Sequence, residues 1–435
     1  MNATVSATTG GNAPTRQGRL FSIVGGSAGN LVEWYDFYAY AAFAIYFAPV
    51  FFPSGDRTSA LLGTAAIFAV GFLMRPLGAW VMGIYGDRHG RKAGLTLALI
   101  LMAGGSLMVA AAPTHAMAGI WAPAILLFAR MLQGLSVGGE YGASATYLSE
   151  MATDRNRGFW ASFQYVTLIG GQLCALLVAL LLGAVLTDAQ LQAWGWRIPF
   201  AIGAVLALGV FLIRRRLDET EAFRAMPADR PKSSLGKLWR DHPREFLLVV
   251  VISAGGGLGF YAYTTYMQKF LVNTSGFARD TATQVMTAAL VVYMLVQPLF
   301  GAISDRVGRK PMLLFFGLGG MVATVPAFYL LSTIGSPLAA FAAITGLLML
   351  LSGYTAISGL IKAELFPSHI RNLGVAFPYA IGNALFGGTA EYAALFAKSR
   401  GYESGFYWYV AVMLAITSYA FWRLPETRSS ALVGR

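Results

Sequence analysis

The sequence predicts an all-α integral membrane protein, with twelve transmembrane helices in two six-helix bundles. Three observations predict it. The composition is too apolar for a water-exposed surface, apolar runs of bilayer-spanning length follow one another along the chain, and short motifs recur half a chain apart.

Of 435 residues, 56% are hydrophobic and only 12% are charged. Soluble domains carry roughly 25% charged residues, so this chain has too few to cover a surface facing water. Mean hydropathy is +0.59. The 50 glycines suit close helix contacts in lipid, where small residues let backbones approach. A single cysteine, Cys174, excludes an intrachain disulfide and a cysteine-built metal centre.

A bilayer core of about 30 Å takes roughly 20 apolar residues as helix. Such runs lie at 21–48, 59–85, 93–112, 118–148, 159–186 and 198–213, then at 246–271, 281–303, 311–332, 336–361, 374–397 and 405–422. We read 1–19 as a cytoplasmic tail, 20–216 as the N-terminal bundle, 217–245 as a cytoplasmic linker, 246–423 as the C-terminal bundle and 424–435 as a second tail. The first apolar run is too long for the core of a cleavable signal, so none is expected.

The net charge of +12 raises the question of nucleic acid. Its distribution answers it. Of the 32 Lys and Arg, 24 fall in the tails and in the connections on their side, Lys362 and Arg371 among them. Six fall on the other side, and Arg75 and Arg130 lie inside spans. The bias follows the positive-inside rule with both termini cytoplasmic. The basic charge reports topology, and no nucleic-acid partner is expected.

The halves repeat each other. Gly83-x-x-x-Asp87-Arg88-x-Gly90-Arg91-Lys92 follows the second span, and Gly301-x-x-x-Asp305-Arg306-x-Gly308-Arg309-Lys310 follows the eighth, 218 residues on. Glu150 and Arg157 correspond to Glu364 and Arg371, and Leu217-Asp218-Glu219-Thr220 to Leu424-Pro425-Glu426-Thr427. Two homologous bundles sharing one central cavity suit alternating access, one bundle rocking on the other.

The doubled loop resembles the signature of the major facilitator superfamily. Gly29-Asn30-Leu31-Val32-Glu33-Trp34-Tyr35-Asp36-Phe37, Phe72-Leu73-Met74-Arg75-Pro76 and Arg130-x-x-Gln133-Gly134-x-x-x-Gly138-Gly139-Glu140 resemble its metabolite–proton symporter family. Phe163–Gln172, Thr264–Lys269 and Phe386–Tyr392 are similar to the 2-oxoglutarate carriers of that family. The resemblance runs from about residue 20 to 423 and implies proton-coupled uptake of 2-oxoglutarate. Another organic acid, such as citrate or shikimate, is the alternative within the family. A membrane sensor that binds the metabolite is the alternative from another class, disfavoured by the short linker.

An intramembrane charge costs roughly 2.5–3.5 kcal/mol on insertion scales, so each needs a partner or a purpose. Glu33 and Asp36, three residues apart, share a helix face and are candidates for carrying the proton; a structural pair neutralised by the arginines is the other reading. Arg75 and Arg130 have the planar fork that matches carboxylates, and a dicarboxylate needs about two such partners. Gln133 shares the motif of Arg130 and joins them as a candidate substrate ligand. Glu140, on the face of Gln133, is a second protonation site or a gate.

Gly134, Gly138 and Gly142 form a packing ridge. Gln164 and Gln172 share a face and can orient a carboxylate or keto oxygen, or bond between helices. Tyr261, Tyr263, Tyr266 and Lys269 follow a glycine cluster in the seventh span. For Lys269, substrate capture and snorkelling to the interface both stand. Asn383, Gly387 and Glu391 line one face, with Lys398 as a candidate partner for Glu391. Asp87 can cap the third helix or pair with Arg91. The resemblance implies a cytoplasmic clamp from Gly83, Asp87, Arg88, Gly90 and Arg91 and from Asp305, Arg306 and Arg309.

There is no phosphate-binding Gly-x-x-x-x-Gly-Lys-Ser/Thr loop, no metal-ligand spacing among the four histidines and no catalytic constellation. The expectation is a transporter, not an enzyme, without cofactor or metal, acting as a monomer on a small organic acid and protons.

Overall fold

The computed structural model describes residues 16–53, 56–89, 91–151, 156–215, 234–367 and 370–428. The ends of both expected tails and most of the linker lie outside the described residues. Within them the secondary structure is helical throughout.

The spans are α1 (Arg16–Phe51), α2 (Arg57–His89), α3 (Arg91–Ala111), α4 (Trp121–Met151), α5 (Arg157–Val185) and α6 (Ile198–Arg215). Then come α7 (Pro243–Tyr263, continued by Thr265–Asn273), α8 (Arg279–Val307), α9 (Arg309–Thr333) and α10 (Pro337–Thr355, continued by Ser358–Glu364). α11 runs as Arg371–Gly382, a π-helical turn Asn383–Gly387 and Ala390–Ser399, and α12 is Ser404–Arg423. Nine stretches of these are long and apolar enough to cross a membrane among the described residues. The other three spans are less apolar or interrupted. α1 carries Glu33 and Asp36, α3 is apolar only over Thr96–Ala111, and α11 is broken.

Two ends differ from the sequence reading. α1 begins at Arg16, inside the expected tail. The expected linker holds a short helix, Leu235–Asp241, and the start of α7. The segment after α12 is docked: Glu426 accepts the backbone N–H groups of Arg309 at 2.9 Å and Lys310 at 3.0 Å, capping α9. Burial pushes the Glu426 carboxyl up, but these donors pull it below the usual range.

Helix contacts explain the glycine count where the ridge lies. A Cβ on Gly134 would strike the carbonyl of Gly71, and one on Gly138 the carbonyl of Arg75, so α4 lies directly on α2. Within the first half α3 packs on α6 and α1 on α5; within the second, α9 packs on α12 and α8 on α10. Across the seam α5 packs on α8, and α2 and α4 pack on α11.

The breaks in α7, α10 and α11 all lie in the second half. Irregular backbone at membrane depth survives only where it is buried in protein or lines a cavity. At Thr264 both the backbone N–H, at 3.0 Å, and the side-chain hydroxyl, at 2.6 Å, donate to the Phe260 carbonyl.

The ridge gives a test. Gly138→Val should abolish the monodisperse protein peak in fluorescence-detected size exclusion. Gly104→Val, where an added Cβ meets nothing within 4 Å, should leave it unchanged.

Candidate functional site

α2 and α4 bring two guanidinium groups against one aromatic wall of α1. Arg75 Cζ lies 3.7 Å from the Phe72 ring centroid, 4.4 Å from Phe37 and 5.1 Å from Trp34. Arg130 Cζ lies 4.4 Å from the same Phe37 ring and 4.5 Å from Tyr40. Both arginines are buried. Cation–π contacts contribute about 0.5–2 kcal/mol each. Burying an ion costs several kcal/mol, so the rings do not offset it.

Neither arginine forms an ion pair with a described carboxylate. Nε and Nη2 of each also lack hydrogen-bond partners. Arg130 Nη1 donates to Gln133 Oε1 at 2.6 Å, and Gln133 Nε2 donates to Asp36 Oδ2 and, at 3.1 Å, to Ser106 Oγ. Asp36 is therefore joined to Arg130 through an amide. It points to Gly203 on α6, where a side chain would collide with its Oδ1. Ser136 Oγ lies 3.3 Å from Glu33 Oε1. Both carboxylates contact residues of the first bundle, and Asp36 meets Arg130 through the Gln133 amide rather than in a direct ion pair.

Two narrow cavities lie along the seam. One is lined by Trp34, Arg75, Val137, Gly138, Tyr141, Ala376, Tyr379 and Ala380. The other is lined by Tyr38, Ala41, Ala42, Gln172, Leu176, Thr264, Thr265, Gln268 and Met286. Tyr261 faces Tyr38, Arg75 and Asn383, so tyrosine hydroxyls stand between the two. The Gln172 Oε1 and Gln164 Nε2 atoms are buried and unpaired, while Asn383 Nδ2 donates to the Tyr379 hydroxyl at 3.2 Å. Arg75 lines a cavity; Arg130 and Gln133 line neither.

The profile of the sugar (and other) transporter family matches residues 22–230 and again 218–434, once per half. The chain belongs to that family. The transporter is 52% identical over 414 residues to the alpha-ketoglutarate permease of Escherichia coli (strain K12), covering 95% of each chain. It is 34% identical over 431 residues to the citrate-proton symporter of Salmonella typhi, covering 95% of this chain and 96% of that one. Its fold is that of the major facilitator superfamily: the proton:xylose symporter XylE superposes with a TM-score of 0.76 at 20% identity, over 95% of this chain and 97% of that one.

Lys269 of the transporter neither snorkels nor stands free. Its Nζ lies 2.6 Å from Glu391 Oε2, both buried. Glu391 thus pairs with Lys269, and the expected Lys398 partner is corrected: Lys398 binds Glu403 at 3.1 Å. Lys269 reaches Glu391 because each lies in the shorter piece that follows a helix break, on facing helices. Tyr266 donates to Glu403 at 3.4 Å, in a network that includes Thr274 and Lys398 at the end of the bundle away from the termini.

The second copy of the loop signature crosses the seam. Asp305 accepts the backbone N–H groups of Gly158 at 2.8 Å and Phe159 at 3.0 Å, capping α5 of the other half. Arg309 Nη1 holds Asp305 Oδ1 at 2.9 Å. Gly301 lies against Gly158, where no side chain fits. The Arg306 carbonyl accepts from Arg428 at 2.6 Å. In the first copy Gly90 lies outside the described residues, as do the side chains at Gly83, Asp87, Arg88 and Arg91 and that of Glu140.

Sequence reading missed Lys362 by placing it in a connection. It is fully buried in α10, with Nζ 2.8 Å from Ser358 Oγ, 3.2 Å from the Tyr141 hydroxyl and 3.3 Å from that of Tyr354. The signal was there: Tyr354, Ser358 and Lys362 recur every four residues, on one helical face.

The Lys269–Glu391 pair carries a stability test. Lys269→Met or Glu391→Gln alone should destabilise by about 3–5 kcal/mol, because each leaves a buried charge unmatched. Replacing both residues by Met should recover most of that. Thermal unfolding in detergent reads the three variants, and additive losses would remove the pair from the account.

Proposed function

We propose that this chain is a proton-coupled symporter that takes up 2-oxoglutarate by alternating access across the bacterial cytoplasmic membrane, with both termini cytoplasmic. The observation that carries the reading is Arg75. It lines the cavity between the halves, is buried, and meets no carboxylate among the described residues, so an organic anion is the partner its fork lacks. The alpha-ketoglutarate permease relative supports the choice of acid.

In this reading 20–216 and 246–423 are the two moving bundles, 217–245 links them, and 1–19 and 424–435 are cytoplasmic ends. Arg75 takes one carboxylate in two parallel hydrogen bonds. Tyr38, Tyr261 and Asn383 stand where they can orient the ligand, with Gln164 and Gln172 farther along the seam. Arg130, Gln133 and Asp36 form the proton arm, since the Gln133 amide ties Asp36 to a guanidinium beside the same Phe37 ring. A proton that enters with the dianion limits the charge carried across the low-dielectric core, which is the electrostatic reason to couple them. Glu33 belongs to the same face as Asp36. The Asp305 cap on α5 is the cytoplasmic clamp, parted when the carrier opens inward. Lys269 and Tyr266 hold the second bundle together rather than the ligand. The protein binds and releases its substrate unchanged, as a monomer, and is not an enzyme.

Proteoliposomes test the reading. Labelled 2-oxoglutarate should accumulate above equilibrium only with an imposed inward proton gradient, and unlabelled 2-oxoglutarate should compete better than citrate, shikimate or betaine. Stronger competition by citrate or shikimate would replace the substrate and keep the transporter.

Two variants divide the roles. Arg75→Lys keeps the charge and loses the fork, so half-saturation should rise by about tenfold, near 1.4 kcal/mol. Asp36→Asn should abolish uphill uptake while exchange of internal for external substrate persists, because exchange moves no net proton. Gradient-driven accumulation by Asp36→Asn would place the proton elsewhere.

A further inference from the structure

We propose that Lys362 binds the second carboxylate of the substrate, and that the stacked rings of Tyr141 and Tyr379 are the shutter between it and Arg75. The proposal rests on the dicarboxylate reading above and adds the residue that selects two charges over one.

Lys362 is hydrogen-bonded but has no carboxylate partner among the described residues. Its three ammonium donors meet three hydroxyl oxygens, and no described carboxylate lies within ion-pair distance. The Tyr379 ring centroid is 4.2 Å from Nζ. Lys269, the other fully buried lysine among the described residues, has its carboxylate at 2.6 Å. Hydroxyls and aromatic faces do not offset several kcal/mol of ion burial, so Lys362 carries its charge at this site only when an anion joins it.

Its place supplies one. The Arg75 cavity is closed on one side by Tyr141 of α4 and Tyr379 of α11, whose rings stack at 3.6 Å with planes 10° apart. Lys362 does not line that cavity, and its Nζ lies 4.2 Å from the Tyr379 ring centroid and 5.4 Å from that of Tyr141. Tyr141 belongs to the first half, whereas Tyr379, Tyr354, Ser358 and Lys362 belong to the second. Any separation of the halves at this face parts the stack and takes one acceptor from Lys362. A substrate carboxylate then finds a donor left open and a cation beyond it. Arg130 is the other cation that could serve, but it is enclosed by Phe37, Tyr40 and Phe68 and committed to Gln133. A ligand held by Arg75 and Lys362 bridges the two halves, which a monocarboxylate cannot do.

The test compares 2-oxoglutarate with 2-oxopentanoate, the same chain without the second carboxylate, by titration calorimetry on the full chain in detergent. Wild type should prefer the dicarboxylate by about tenfold or more. Lys362→Gln should lose that preference and bind 2-oxopentanoate within about twofold of wild type, as deletion of one ion pair requires. If Lys362 only pins the halves together, both acids weaken alike, and that result overturns the proposal. A wild type that does not prefer the dicarboxylate overturns the substrate reading itself, a different failure. Should Lys362→Gln not fold, reductive methylation of the wild-type chain, read by mass spectrometry, replaces it. 2-Oxoglutarate should protect Lys362 and 2-oxopentanoate should not, and equal modification with both acids overturns the proposal.

Discussion

Arg75 has an ion's burial penalty and no carboxylate partner among the described residues, and much of the seam is arranged around that imbalance. Aromatic rings surround it, α4 approaches its backbone through Gly138, and the second half offers tyrosines and an asparagine in place of an acid. A soluble protein would place a glutamate there. A carrier that must release an anion on the far side gains nothing from an internal one, because a permanent ion pair competes with the ligand at every turn of the cycle. Lys269 shows the opposite solution in the same fold: a charge matched by a carboxylate within its own bundle.

The halves share ancestry in their motifs but not in their charges. The first half holds its carboxylates, Glu33 and Asp36, against α3, α4 and α6. The second half is broken at three helices, and the breaks give it the short pieces on which Lys362, Asn383 and Glu391 sit. Discontinuous helices recur at transporter binding sites because free backbone groups and shifted side chains can meet a ligand there. The first half therefore carries Glu33, Asp36, Arg75 and Arg130 on continuous helices, and the second carries Lys269, Lys362 and Glu391 on broken ones.

The fold class, the spans and the twofold repeat were legible because bilayer thickness imposes a run length and because each loop motif kept its spacing. Arg75 and Arg130 announced themselves as charges inside apolar runs. What the sequence hid was partnership. Glu391 lies seven residues from Lys398, which looks like a helical pair, but the chain turns after Ser399, and Glu403 captures that lysine while Lys269 arrives from another helix. Asp305 looks like a local cap for its own turn, yet its oxygens reach α5 of the other half. Lys362 sits at the frayed end of an apolar run, where a lysine ordinarily faces water, and only the break in α10 turns it inward. Contacts between spans distant in sequence leave no periodicity to read.

The two closures of the seam are made of different forces. At mid-depth Phe72 is pressed on Gly388 and Tyr261, an apolar contact. The ion pair of Arg279 with Asp188 beyond it is largely exposed on the acid side and worth about 0–1 kcal/mol at most. At the terminus-bearing face the closure is Asp305 on the N–H groups of α5, charge against helix dipole. Wetting an apolar contact grows costlier with warming over the physiological range, whereas a carboxylate only 8% exposed is screened little by salt. Warming therefore holds the mid-depth contact shut, while the aspartate cap answers to its own charge and hardly to ionic strength.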